Sequence, residues 1–179
     1  YLTVRSLQIG FVVGDVAVEM TPAAKDAWSW NTYEHLRPDT SKDDGHHFLY
    51  SWTHVNALVM DAKADEVLIN ARNISTVYKV RRSTGQILWA FGKDGDFAAD
   101  PAAEHPWFEQ PHGLERLPNG NLIMYDNGLL KRGFNRAVEY ALDENARTSR
   151  IVWQYRGGGR GRWFVNYWGD ADRLPNGNT

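Results

Sequence analysis

The pentapeptide Leu117-Pro118-Asn119-Gly120-Asn121 returns as Leu174-Pro175-Asn176-Gly177-Asn178, and each copy follows an arginine, Arg116 or Arg173. Self-similarity of this kind marks one supersecondary unit used again, which buries its apolar face by stacking on its neighbours. Asn-Gly between apolar runs is the strongest short hairpin signal. It predicts a type I′ turn with positive φ at both residues.

A second repeated unit follows the turn. Val16–Met20 leads to Trp28-Ser29-Trp30, Val77–Val80 leads through Ser83–Gln86 to Ile87–Phe91, and Val138–Leu142 leads to Ile151–Tyr155. Each reads as strand, polar turn, strand, with an aromatic pair two residues apart on one face of the second strand. A further strand type precedes them, at Glu66–Asn70 and Asn121–Tyr125. The order strand, strand, turn, strand, long connection is a blade pattern, so the fold class is all-β and the architecture expected is a β-propeller with about three blade repeats. The only helical turns expected are near Ala23–Ala27 or Ala99–Glu104. The repeat of about 60 residues exceeds the ~40–45 of a compact blade. The excess sits in connections at 31–51, 92–110 and 156–168, where polar and aromatic residues on a rigid scaffold are best placed for function. Residues 1–179 read as one partial propeller domain cut at both ends, since propellers carry about 4–8 blades.

Composition bounds the function. Aromatic residues at 13% suit blades, and 42% hydrophobic with 23% charged residues is ordinary for a folded domain. A net charge of −2 gives no reason to expect nucleic acid or an anionic membrane surface as partner. No apolar run approaches the ~20 residues of a membrane helix, so no membrane insertion is expected. The chain has no cysteine, which removes disulfides, thiolate metal sites and a cysteine nucleophile.

Of six histidines, His54 and His112 stand in related places, each in a segment leading into a strand. Two imidazoles converging there would bind an anion or move a proton; the alternative is a structural histidine bonded to a carbonyl. Arg132 and Arg136 follow Asp126-Asn127-Gly128. A guanidinium suits oxyanion recognition, and the alternative is an arginine tied to a carboxylate such as Glu139. Arg72 carries the same ambiguity. His46-His47 beside Asp43-Asp44 match no closed zinc spacing, Asp94-Gly95-Asp96 lacks the rest of a calcium loop, and the Gly157–Arg162 run opens no recognisable helix. No metal and no cofactor are expected. Trp107, Phe108, Trp163 and Trp168 are either channel walls that stack on an aromatic ring or blade packing.

Taken in order, Trp52-Thr53-His54-Val55-Asn56, Ile69–Ser75, Thr84–Trp89, Phe108-Glu109-Gln110-Pro111-His112, Leu117–Asn121, Tyr125–Gly128 and Asn135–Tyr140 resemble the signatures of the bacterial-type, PAPS-independent arylsulfotransferases. Trp28-Ser29-Trp30 before Glu34-His35-Leu36 fits the lead-in, so the resemblance spans nearly the whole chain. It implies a six-bladed propeller that moves a sulfuryl group from a phenolic sulfate to a phenol through a sulfohistidine, in the periplasm or outside the cell. The implied catalytic set is His54 and His112, as sulfate-binding or proton-transferring residues, and Arg132 as oxyanion clamp with Arg136 competing for that role. Arg136, Asn56, Trp107, Phe108 and Trp168 form the implied substrate-binding set. The chain departs from the family at the proline of Gln110-Pro111-His112 and at Gly169-Asp170, where a histidine is absent. The sulfuryl-carrying histidine is expected either beyond Thr179 or not at all, and in the second case the chain is no transferase. The competing expectation is a non-catalytic binding or scaffold propeller of quinoprotein-like type, in which the Gly and Trp of Thr84–Trp89 serve packing alone.

Overall fold

The computed structural model describes every residue except 40, 42–48, 130–131 and 158–163. Contacts divide the chain into two compact units, Tyr1–Trp89 and Ala90–Thr179. The described residues form three four-stranded sheets and one short helix. The first sheet holds β1 (Leu2–Ile9), β2 (Val12–Met20), β3 (Asp26–Asn31) and the two-residue β4 (Tyr50–Ser51), the last pairing with β2 in parallel. The second is the meander β5 (Val55–Asp61), β6 (Glu66–Ala71), β7 (Thr76–Arg81), β8 (Ile87–Phe91). The third is β9 (Pro111–Arg116), β10 (Leu122–Asp126), β11 (Arg136–Asp143), β12 (Thr148–Tyr155).

Each meander therefore has a strand that period-2 alternation did not reveal. In β5 and β9, the segments read as lead-ins are themselves paired strands. Both carry one extra residue against their partner: Val55 faces Ala71 but Ala57 faces Asn70, and Glu115 faces Ile123 but His112 faces Tyr125. A bulge breaks the alternation by which a strand is recognised. The one described helix, α1 (Thr32–His35), lies at neither expected helical turn. Residues 23–25 form the turn before β3, and 99–104 are irregular.

The Asn-Gly hairpins also differ from expectation. Gly120 (φ 88°) and Gly177 (φ 85°) are left-handed, but their asparagines are not. A two-residue I′ loop needs an amide hydrogen at the position before Asn119, where Pro118 has none. The loop opens to three residues instead. Leu117 N bonds Asn121 O at 2.8 Å, Gly120 N bonds Leu117 O at 2.8 Å, and Asn119 Oδ1 accepts from Asn121 N at 3.0 Å. Proline leading a turn that ends in a left-handed glycine is the three-residue hairpin solution, and 174–178 repeats it.

In the first unit, Val67, Ile69 and Ala71 of β6 pack with Val55, Val80, Ala17 and Trp30. Trp30 is 1% exposed, stacks on His35 at 4.6 Å and donates its indole N–H to Gly85 O at 2.9 Å. A tryptophan is buried this deeply when its N–H has a partner. In the second unit, the cross-strand pairs Leu122–Tyr140, Met124–Val138 and Asp126–Arg136 share one fully buried face. Phe91 meets Phe97, Phe108 and Tyr140 edge-on at 5.1–5.5 Å. The other face holds Leu117, Ile123 and Ala171.

Candidate functional site

The first unit presents His54 immediately before β5. Its backbone is left-handed, φ 48°. Ladder-like bonds from Arg72 N to His54 O (3.2 Å) and from Asn73 N to Thr53 O (3.1 Å) hold the segment to the end of β6. One oxygen of Asp15, Oδ2, accepts from Thr53 Oγ1 at 2.6 Å and from Val55 N at 2.8 Å. Asp15 is 6% exposed. Burial raises its carboxyl above the usual carboxylate range, against the opposing pull of those two hydrogen bonds and of His54. Asp15 and His54 both line a cavity of about 330 Å³, together with Val4, Ser6, Val13 and Ser51. Asn56 accepts from Asn70 Nδ2 at 2.6 Å.

The second unit presents His112 inside β9, 9% exposed. Its Nδ1 lies 2.7 Å from Asn127 Oδ1. The amide nitrogen of Asn127 faces two carbonyls, Val165 O (3.0 Å) and Trp168 O (2.9 Å), which only accept. The oxygen end therefore faces the imidazole, and Nδ1 carries the proton. In the neutral ring the lone pair then sits on Nε2. Beside Asn127, Asp126 accepts at Oδ1 from Glu109 N (2.9 Å), Gly128 N (3.1 Å) and Arg132 Nη2 (2.8 Å), and at Oδ2 from Arg132 Nη1 (2.7 Å) and Arg136 Nε (2.8 Å). Arg136 also donates to Gln154 Oε1, Trp107 O and Tyr140 Oη. The Arg132 and Arg136 side chains are 4% and 0% exposed. Two guanidiniums on one carboxylate leave one net positive charge buried next to Asn127. Burial also lifts the Tyr140 phenol above its ordinary range.

The two arginines are thus tied to a carboxylate, as one alternative held, but to Asp126; Glu139 pairs with Arg173 at 2.8 Å. The aromatic candidates separate. Phe108, 1% exposed between Phe91 and Tyr140, is packing. Trp107 lies against Phe91 at 5.9 Å and gives its carbonyl to Arg136. Trp168 is 82% exposed. Trp163, His46, His47 and most of the glycine-arginine run lie outside the described residues. Among the described residues no three His, Asp or Glu side chains cluster as metal ligands. Asp96 serves a turn, accepting from Ala90 N at 2.7 Å.

His54 and His112 are not equivalent in backbone position. Val55 and Pro111 both begin a strand, opposite Ala71 and Asp126. Gln110, with φ 51°, occupies the left-handed place of His54, and His112 occupies that of Asn56. The structure gathers His112, Arg132, Arg136, Trp107 and Phe108 in the second unit and His54 with Asn56 in the first. Sequence reading missed Asp15, which lies in β2 with no motif around it. Asp126 and Asn127 stand out in the sequence only as part of a motif, although an Asp-Asn-Gly at the end of an apolar strand offers two side-chain acceptors at the edge of the sheet.

A family profile described as arylsulfotransferase (ASST) matches residues 8–179. The chain belongs to the arylsulfotransferase family. No curated protein matches it significantly.

Proposed function

We propose that the chain contributes three blades to a β-propeller that transfers a sulfuryl group from a phenolic sulfate ester to a phenol through a sulfohistidine. Family membership and the repeated four-stranded meanders support this reading, and the tautomer fixed on His112 by Asn127 is the observation that carries it. In the first half-reaction a histidine nitrogen attacks sulfur. The N–S bond forms, the aryl O–S bond breaks, and the departing phenolate takes a proton. In the second, the acceptor phenol attacks the same sulfur, loses its proton to a base, and the N–S bond breaks. Splitting the transfer in this way replaces one hard step by two easier ones. His112, with its lone pair on Nε2, takes the phenol proton. His54 donates to the sulfuryl oxygens from the cavity it lines. Arg132 and Arg136 contribute the net positive charge of their trio with Asp126, which stabilises an anionic transferring group without direct contact. Asn56, Trp107 and the exposed Trp168 are the remaining substrate-side candidates, and Trp168 offers a face on which a phenol stacks.

Incubation of the full-length propeller with p-nitrophenyl sulfate and phenol is expected to release nitrophenol and form phenyl sulfate. His112→Ala and His54→Ala are expected to lower kcat on the order of 10²–10⁴-fold. No release, or release untouched by both substitutions, overturns the proposal. A binding or scaffold propeller is the second reading. It is favoured by the arginine donors directed at Asp126 and by Phe108 in the core; in that case both histidine variants alter stability or partner binding alone.

A further inference from the structure

Among the described residues of the first unit, Asp15 is the only buried carboxylate. Burying a charge is unfavourable unless it is paired and hydrogen-bonded. Nothing in the packing of β2 requires one: its neighbours Gly14 and Val16 belong to an ordinary antiparallel ladder, in which Asp15 faces Ser6. The carboxylate instead reaches toward β5. Its Oδ2 grips the hydroxyl of Thr53 and the amide of Val55, the residues on either side of His54. His54 between them holds a left-handed backbone. That conformation is unfavourable for any residue with a Cβ and persists only where surrounding structure over-determines it.

We propose that Asp15 is the positioning residue of His54: it pins the flanking residues 53 and 55, imposes the left-handed turn between them, and so fixes where the imidazole enters the cavity. The anchor is itself rigid. Asp15 N donates to Thr32 Oγ1 at 3.0 Å, Thr32 is 1% exposed and Thr53 is fully buried. A neutral acceptor would hold the same two donors; the carboxylate adds a coulombic attraction to His54, which shares the cavity. Ser6 and Ser51 complete the polar lining. The role of this pair in transfer rests on the sulfotransferase reading of His54; the positioning itself does not.

The test uses Asp15→Ala, which removes clamp and charge, and Asp15→Asn, which keeps an acceptor for both donors. Two readouts apply: the imidazole resonances of His54 by NMR, and kcat and KM with p-nitrophenyl sulfate and phenol. Asp15→Ala is expected to displace the His54 ring signals and to lower kcat on the order of 100-fold, the usual effect of misplacing a reacting group by about 1 Å, with a smaller change in KM. Asp15→Asn is expected to restore the ring signals and part of the lost kcat. Asp15→Ala combined with His54→Ala is expected to be no slower than His54→Ala alone. Unmoved ring signals in Asp15→Ala, or a further loss in the double variant, overturn the proposal. If Asp15→Ala does not fold, Thr53→Val removes one of the two donors and is expected to shift the ring signals, with Thr53→Ser restoring them; no shift overturns the proposal. Displaced ring signals in a protein whose wild type transfers no sulfuryl group contradict the sulfotransferase reading and leave the positioning intact.

Discussion

The segments ahead of β5 and β9 use one backbone device with two different electrostatic settings. In each, a residue with a Cβ adopts positive φ, His54 or Gln110, and a buried aspartate accepts from the backbone around it. Asp126 is enclosed by two guanidiniums. Asp15 is held by a hydroxyl and an amide, and its ionisable neighbour is His54. The first arrangement is a closed ion network that fixes the rim of the third sheet and, through Asn127, the tautomer of His112. The second leaves a carboxylate and an imidazole sharing a cavity. Equal geometry therefore does not imply equal use: one aspartate stabilises, the other is held at a cost in stability for what it does to its neighbour.

That contrast gives opposite signs to two substitutions. Asp126→Ala strands two buried guanidiniums, and removing one partner of a buried ion pair costs about 3–5 kcal/mol. Denaturant titration is expected to show a loss of that size; a loss near zero would place Asp126 among replaceable surface acids. Gly113→Ala comes next. Gly113 is left-handed (φ 57°), and a Cβ there would stand 2.1 Å from Asp170 Oδ1. Overpacking of this kind costs about 1–3 kcal/mol, and a thermal melt that shows no decrease would mean that the 165–173 segment does not seat on β9.

Asp15→Asn is expected to go the other way. Because burial raises the folded carboxyl above its unfolded value, the stability linked to its protonation is complete below about pH 4 and is lost as pH rises through the folded value. The amide keeps both accepted hydrogen bonds without the charge. It is expected to stabilise the protein at pH 7 by about 0.5–2 kcal/mol, the common range for a favourable single replacement, with the gain shrinking toward pH 4. Destabilisation at pH 7 would remove the distinction between the two aspartates. The smallest effect is expected for Arg5→Ala. Its pair with Asp26 is 2.6 Å long but about half exposed on both sides, and surface pairs contribute little; an unchanged melting temperature is expected.

Much of this fold was legible because it repeats. The aromatic pair bounds Ile87–Phe91 correctly, and the strand patterns place β6, β7, β11 and β12 to within a few residues. The strands that carry the candidate site were read only as lead-ins. A bulge at Asn56, and Pro111 with Gly113 in β9, disrupt alternation in the stretches where backbone irregularity aims side chains. The site was legible in its histidines but not in what holds them. Asp15 lies far from His54 in sequence, and a cross-sheet hydrogen bond leaves no local pattern. The alignment of His54 with His112 followed the identity of the residue, whereas strand register aligns Gln110 with His54. The aromatic decay along the repeat was also invisible: Phe91 is fully buried while its counterpart Tyr155 is 59% exposed.

The most direct test of the central claim is retention of labelled sulfur on the protein. Treated with an aryl sulfate labelled at sulfur and no acceptor, then denatured and digested, the proposed propeller, of which this chain supplies three blades, is expected to yield a peptide with the label on a histidine nitrogen. Phenol added before denaturation is expected to remove that label as phenyl sulfate. A protein that never retains label, and from which phenol draws no phenyl sulfate, would contradict the account.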